Sequence, residues 1–199
     1  MNYPSFFEAV EPIQVTDPLA RTLGSIGGGE YEFTYTDVVK AAGHSCPTVA
    51  GAYLMTREAL KRLYPGARAV RGEIRVEFKE QLEEGVAGVI GNVITQLTGA
   101  TDRSGFKGLA GRFARHSLMH FGADIQSSAR FTRVDTQRSV DVIYDPSSVP
   151  FDQALQGLFM KIRGGGATPE EEQTFGVLWQ ARVEQIFAKV DLVIELKEI

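Results

Sequence analysis

The sequence predicts an α+β fold, in which a mixed or antiparallel sheet packs against several helices and a helical extension follows at the C-terminus. Three observations support this prediction. Helical and alternating apolar patterns follow each other without a regular β–α repeat, which is typical of α+β proteins. The helical spacing is clearest over residues 49–63, and the alternation over residues 73–78. Thr168 and Pro169, followed by two glutamates, then form a strong helix start.

The first predicted elements are short. Residues 5–11 favour a short helix, and a glycine-rich loop follows over residues 24–29. This loop lacks the preceding strand, the following helix and the lysine of a phosphate loop, so we expect a mobile connector. Alternating aromatic residues predict a strand over residues 30–35. A brief helix then begins at residues 36–37 and ends at Gly43, a residue type that often stops helices.

The central region predicts two longer helices and most of the sheet. Pro47 suits the first turn of a helix, which Pro65 and Gly66 end. The alternation over residues 73–78 predicts a half-buried strand with its apolar side chains inward. The remaining predicted elements are a helix over residues 83–97, a glycine-punctuated loop over residues 98–111, and strands over residues 113–121, 129–135 and 139–144.

The C-terminal region changes character from sheet to helix. It predicts helices over residues 151–163 and 168–188, joined by a glycine linker, and a last strand over residues 190–199. We therefore divide the chain into three parts. They are an N-terminal extension with the glycine-rich loop (residues 1–29), an α+β core (residues 30–149) and a helical extension that packs on the core (residues 150–199).

Composition restricts the possible functions. The chain has 199 residues, of which 43% are hydrophobic, and a net charge of −4. No basic cluster suggests a phosphate-backbone contact, so we expect no nucleic-acid partner. We also expect no membrane partner, because no apolar run approaches a membrane span and the N-terminus lacks a signal-peptide pattern. A single cysteine cannot form an internal disulfide, so the expected location is the cytoplasm.

The segment of residues 43–47, Gly-His-Ser-Cys-Pro, carries the most informative chemistry. It contains the only cysteine, Cys46, and one of three histidines, His44. Imidazole nitrogen and thiolate sulfur are favoured ligands for zinc, and the N-terminus of a helix favours the thiolate. A metal site, a reactive thiol and a plain buried cysteine therefore remain open. One cysteine cannot build a cysteine-rich structural zinc site, so a metal site here would be open to water or substrate.

Four further residues are candidates for a third ligand or a pocket. His116 and His120 lie on the strand predicted for residues 113–121, where they would share a face but stand roughly 13 Å apart. One ion could therefore bind only one of them. Asp102 and Lys107 lie in the glycine-punctuated loop, where the carboxylate is a possible metal ligand or base and the ammonium a possible anion contact. The alternatives are surface histidines and a solvated loop.

Two motifs resemble those of the FmdE family, which is named after a component of formylmethanofuran dehydrogenase. The segment of residues 43–47, with the small-residue helix after it, resembles the family's His-Gly-His-x-Cys-Pro-Gly signature. Residues 97–101, followed by glycines at 105 and 108, resemble its Thr-Gly-Cys-Thr motif and glycine-rich loop. The resemblance covers about residues 30–145. It implies a divergent FmdE-like protein with a metal site at His44 and Cys46.

The sequence departs from the family pattern at several positions. The family's first histidine is Ala42 here, its second-motif cysteine is Ala100, and an upstream aspartate falls at Asn92. The cysteine-rich zinc ribbon found at the C-terminus of many members is absent. Only His44 and Cys46 therefore carry over as metal ligands.

These observations lead to one principal functional hypothesis and two alternatives. We expect a metal-binding FmdE-like protein of unknown reaction that holds a divalent ion, zinc first, at His44 and Cys46. The alternatives are a non-catalytic accessory, carrier or assembly module, and a thiol-dependent enzyme that uses Cys46. A small-molecule ligand and a homodimer are the expected partners. The glycine-bearing helix over residues 83–97 would form the dimer contact, and the partner chain is one possible source of a third ligand.

Overall fold

The computed structural model describes residues 3–151 and 153–199. Within them, strands form two mixed sheets and helices pack around them, which confirms the predicted α+β class with its C-terminal helices. Residues 1 and 2 of the predicted N-terminal extension, and residue 152 of the helix predicted over residues 151–163, lie outside the described residues.

The first half of the chain alternates short strands with helices. After a 3₁₀ turn at Ser5–Ala9 come β1 (Ile13–Thr16), α1 (Pro18–Thr22), β2 (Glu30–Phe33), α2 (Tyr35–Ala42), α3 (Pro47–Leu63), β3 (Ala69–Val70), β4 (Ile74–Phe78) and α4 (Ala87–Thr98). The second half contains β5 (Met119–His120), β6 (Ala129–Arg133), β7 (Ser139–Tyr144), α5 (Gln153–Arg163), α6 (Pro169–Ala188), α7 (Val190–Val193) and β8 (Ile194–Glu198).

The strands form one small and one larger sheet. In the small sheet, β1 lies between β2, to which it is antiparallel, and β3, to which it is parallel. The larger sheet has the order β5-β4-β6-β7-β8, and its only parallel pair within the described residues is β4 with β5. Ile74, Val76 and Phe78 are buried, as the alternation of β4 predicted. The first and last predicted parts of the chain each add a strand to a sheet.

Helix α3 lies at the centre of the core. It packs against α2, α4, α6 and the strands β6 and β7. The apolar positions that predicted this helix are all buried: residues 49, 52, 53, 60 and 63. Gly51 is also buried, and a Cβ at this position would lie 2.2 Å from Cε1 of Tyr144. Only glycine therefore lets the Tyr144 ring pack flat against the helix.

Capping residues set the ends of two helices and the start of a third. Thr34 caps α2 in a reciprocal capping box with Asp37, so this helix begins earlier than the predicted residues 36–37. Gly43 ends α2 in the left-handed conformation, with φ 78°, as predicted. Thr168 and Glu171 form the second capping box, at the predicted start of α6. Local side-chain chemistry thus determines these boundaries.

The strand predicted over residues 113–121 is mostly wrong. Only Met119–His120 pair with β4, and the preceding residues form a folded loop. Phe113 and Ser117 adopt positive φ angles of 64° and 59°, which an extended strand does not allow. The main chain of this loop pairs instead with Thr101 and Asp102. His116 and His120 therefore do not share a strand face.

Two further boundaries differ from the prediction. Helix α4 begins at Ala87 rather than at residue 83, because Gly85 adopts a φ of 54° that interrupts a right-handed helix. The last segment begins with the helical turn α7 before β8 pairs with β7. Among the described residues, no helix combines the length and the apolar character that crossing a bilayer requires.

Candidate functional site

The segment Gly43–Pro47 forms the entrance of helix α3. Gly43 ends α2, and Pro47 occupies the first turn of α3, so His44, Ser45 and Cys46 make the connection between the two helices. Cys46 is the N-cap, and its Sγ accepts a hydrogen bond from the backbone N–H of Val49 at 3.4 Å. The sulfur therefore already acts as an acceptor at the positive end of a helix dipole.

His44 is exposed, and one of its ring nitrogens is bound to the main chain. Its Nδ1 lies 3.1 Å from the carbonyl oxygen of Ala42. Because a carbonyl oxygen only accepts hydrogen bonds, this contact assigns the proton to Nδ1 and leaves the lone pair of a neutral ring on Nε2. His44 also lines a cavity of about 280 Å³ between α2 and α4, whose polar side chains include Asn92 and Gln96.

Cys46 is half-buried among aromatic residues. Its thiol lies close to the phenols of Tyr35 and Tyr144. The hydroxyl of Tyr35 lies 2.9 Å from Oγ of Ser45, and that of Tyr144 donates to the carbonyl oxygen of Pro47 at 2.7 Å. Burial raises the pKa of both tyrosines well above the ordinary value. Both phenols therefore stay protonated at neutral pH.

Helix α6 fixes the main chain of the segment. Nε1 of Trp179 and Nε2 of Gln180 both donate to the carbonyl oxygen of Ser45, at 3.0 Å and 3.1 Å. These two donors lie 134 and 135 positions along the chain from their acceptor. The C-terminal extension thus holds the segment in place through its backbone, which leaves the side chains of His44 and Cys46 out of this contact.

The other predicted site residues lie in a different part of the surface. Asp102 and His120 line a shared cavity of about 420 Å³, together with Arg103 and Ser117. Asp102 accepts hydrogen bonds from the backbone and side chain of Ser104, and these bonds lower its pKa. The structure therefore brings two of the four residues together, but not beside His44 and Cys46.

His116 and Lys107 do not join that cavity. Nδ1 of His116 lies 3.0 Å from Oγ of Ser117, and both this histidine and this serine sit in a turn before β5. Lys107 is exposed in the preceding loop. Within residues 3–151 and 153–199, no three His, Cys, Asp or Glu side chains form a group that can hold a metal ion. The donors at the entrance of α3 thus fit an open site, with two protein ligands, rather than a closed one.

A buried ionic cluster around Asp17 was not predicted from the sequence. Asp17 is 3% exposed, and its carboxylate accepts from Nη2 of Arg115 at 2.7 Å and from Nη1 of Arg71 at 3.0 Å. The hydroxyl of Tyr31 and two backbone N–H groups of α1 also donate to it. The dipeptide Asp17-Pro18 is a recognisable helix start, but its arginine partners lie 54 and 98 positions away.

Opposing effects act on the Asp17 carboxyl. Burial would raise its pKa, but the hydrogen bonds from the Ala20 amide and Arg71, together with the charge of Arg115, outweigh burial and lower it. Two glycines make room for Arg115, since a Cβ at Gly99 or Gly72 would lie 2.3 Å or 2.7 Å from its Nη1. The cluster joins the N-terminal segment to the loop before β5.

Comparisons with known proteins give little further information. No family model matches the sequence, and no curated protein matches it significantly. Among solved structures, the chain is similar to the crystal structure of an FmdE-like protein of tungsten formylmethanofuran dehydrogenase type from Syntrophus aciditrophicus. The two are 15% identical, the match covers 84% of this chain and 72% of that one, and the TM-score is 0.43. At this level of similarity, membership of the FmdE family stays a prediction.

Proposed function

We propose that this protein binds a divalent metal ion, zinc first, in an open site at the entrance of α3. The protein ligands are Nε2 of His44 and Sγ of Cys46. The contact between Nδ1 of His44 and the Ala42 carbonyl carries this proposal. Metal-binding histidines commonly donate their second ring N–H to such an oxygen, which fixes the tautomer and leaves the other nitrogen as the ligand.

The position of Cys46 supports the same proposal. Its sulfur accepts a backbone hydrogen bond at the first turn of a 17-residue helix, where negative charge is favoured. Water or a small molecule from the adjoining cavity of about 280 Å³ would complete the coordination shell. When bound in such an open site, zinc acts as a Lewis acid or lowers the pKa of a bound water.

Metal analysis of protein purified without a nickel column tests the proposal. We expect about one zinc per chain after reconstitution, and affinity at least tenfold weaker in His44→Ala and in Cys46→Ser. His116→Ala is the matched control, because this histidine lies in a turn outside the segment, and it should bind as the wild type does. A stoichiometry near zero in both native and zinc-reconstituted protein would refute the proposal.

A carrier or accessory role is the second candidate. It is favoured by the small number of donors, since the described residues place no third metal ligand beside His44 and Cys46. A thermal-shift screen of small molecules, with and without zinc, separates the two roles. A stabilising compound that is recovered unchanged after incubation supports a carrier, whereas a chemically altered compound supports an enzyme.

We further propose that a second copy of the chain covers the cavity of His44. Val86 and Val89 are 46% and 41% exposed at the start of α4, and Val89 lines that cavity. This face belongs to the glycine-bearing helix that predicted a homodimer. Light scattering should give the mass of two chains for the wild type and a lower mass for Val89→Glu. A wild type that stays monomeric at high concentration would contradict this proposal.

A further inference from the structure

A second cavity lies at the other end of helix α3. It has a volume of about 600 Å³ and is bounded by the C-terminal half of α3, the start of β1 and the loop before β3. Arg57 is ten positions after Pro47 on this helix, which places it roughly 15 Å along the axis from the proposed metal site. The second cavity is therefore a separate site, and neither the sequence motifs nor the proposed function accounts for it.

Arg57 provides the main hydrogen-bond donors of this cavity. Its side chain is only 10% exposed, and its Nε donates to Oε1 of Glu58 at 2.6 Å. Neither terminal nitrogen of this guanidinium hydrogen-bonds to another of the described residues. Burying a charged donor without an acceptor is costly, so a buried guanidinium that opens onto a cavity indicates an acceptor from outside the chain.

The charges around the cavity favour an anion. Three basic side chains line it, those of Arg57, Lys61 and Arg68, against one carboxylate, that of Glu11. Lys61 pairs with Glu11 at 2.5 Å, and Arg68 donates to the carbonyl oxygen of Tyr31 at 3.2 Å. A hydrogen bond from Lys61, aided by the charges of Lys61 and Arg57, lowers the pKa of Glu11. Glu11 is therefore ionised at neutral pH and competes with an incoming anion for Lys61.

We infer that this cavity binds a small molecule that carries an oxyanion, either a carboxylate or a phosphate group. The two terminal nitrogens of Arg57 form a planar fork that matches two oxygens of such a group. Lys61 adds a second positive charge at the rim. The volume of about 600 Å³ exceeds what a bare anion fills and lies in the range of small-molecule pockets. Tyr64, which also lines the cavity, offers an aromatic wall to the rest of the ligand.

Isothermal titration calorimetry at constant ionic strength tests this inference with two probes, inorganic phosphate and succinate. Saturable binding of either probe is expected, and the stronger of the two identifies the preferred oxyanion. Arg57→Gln should weaken it about tenfold or more, since a charge-assisted hydrogen bond is lost. Arg62→Gln is the matched control. It removes the same charge from the same helix, but Arg62 is 58% exposed and does not line the cavity.

A second variant keeps the inference testable if Arg57→Gln does not fold. Glu11→Gln removes the competing carboxylate and frees Lys61, so it should bind the preferred probe several-fold more tightly than the wild type. Absence of saturable binding of both probes would overturn the inference. So would equal affinity in the wild type and Arg57→Gln, or unchanged or weaker binding in Glu11→Gln. None of these measurements depends on the metal, because zinc-free protein is used throughout.

Discussion

The segment Gly43–Pro47 and the cluster around Asp17 are two polar centres of this fold, and they differ in what their polar side chains contact. The carboxylate of Asp17 is surrounded by two guanidinium groups, a phenol and two backbone N–H groups. The segment is held mainly through main-chain oxygens, which leaves Nε2 of His44 without a described partner. A saturated buried charge stabilises a fold, whereas a fixed backbone with an available donor atom suits a ligand.

The largest expected effect is the loss of the Asp17 charge. Asp17→Asn leaves two buried arginines without their carboxylate, and breaking a buried pair in this way costs about 3–5 kcal/mol of unfolding free energy. Urea denaturation measures the loss. Asp135→Asn is the control, because Asp135 pairs with Arg133 but is 44% exposed, and it should cost less than about 1 kcal/mol. Equal losses in the two variants would mean that the cluster is not a structural centre.

Acid should remove the same contribution from the wild type. The pKa of Asp17 is lower in the folded state than its ordinary value of about 3.9. The ionised carboxylate therefore stabilises the fold above that value, and this stability is lost as pH falls through the lower, folded pKa. The difference in unfolding free energy between the wild type and Asp17→Asn should shrink below about pH 4. A difference that is constant from pH 7 to the acid transition would contradict this assignment.

A moderate effect is expected where α3 meets Tyr144. In Gly51→Ala the new Cβ would lie 2.2 Å from the ring, so the ring and its hydrogen bond to Pro47 must shift. Overpacking of this kind costs about 1–3 kcal/mol of unfolding free energy. Gly176→Ala in α6 is the control, because no atom lies within 4 Å of its new Cβ, and it should leave stability unchanged or raise it. If both variants are equally stable, the Tyr144 ring does not determine the packing at this end of α3.

The smallest effect is expected for Trp179→Phe. This change removes one of the two donors to the Ser45 carbonyl but keeps an aromatic ring and leaves Gln180 in place. We expect a loss of about 1 kcal/mol, measured by circular dichroism because the only tryptophan is gone. Adding Gln180→Leu should lower stability further and weaken zinc binding, if the contact with α6 positions the segment. A double variant that binds zinc as tightly as the wild type would show that the segment holds its shape alone.

Much of the secondary structure follows from local chemistry. Gly43 and Thr168 act over a few residues of chain, so their roles as helix stop and helix cap were predicted correctly. The inward side chains of β4 follow from the two-residue period of a strand. The prediction for residues 113–121 was mostly wrong because apolar residues there resemble a strand, while contacts with the loop around Thr101 decide the backbone.

The candidate site was predictable only in part. Residue type and spacing drew attention to His44 and Cys46, and the helix start at Pro47 placed them at a helix entrance. The cavity beside His44 depends on α4, and the contact with the Ser45 carbonyl depends on α6, neither of which is local to the segment. Asp102 and His120 share a cavity because the loop between α4 and β5 folds back, which their spacing did not indicate.

The amino-acid sequence by itself determined the fold class, the principal helix boundaries and the residue types at the entrance of α3. These properties depend on interactions within a few positions along the chain, such as caps, turns and apolar periods. Only the tertiary structure decided that Asp17 meets Arg115 and that Arg57 opens onto a cavity. Such pairings join residues that lie far apart in the sequence, and their cost or benefit depends on burial, which no local pattern specifies.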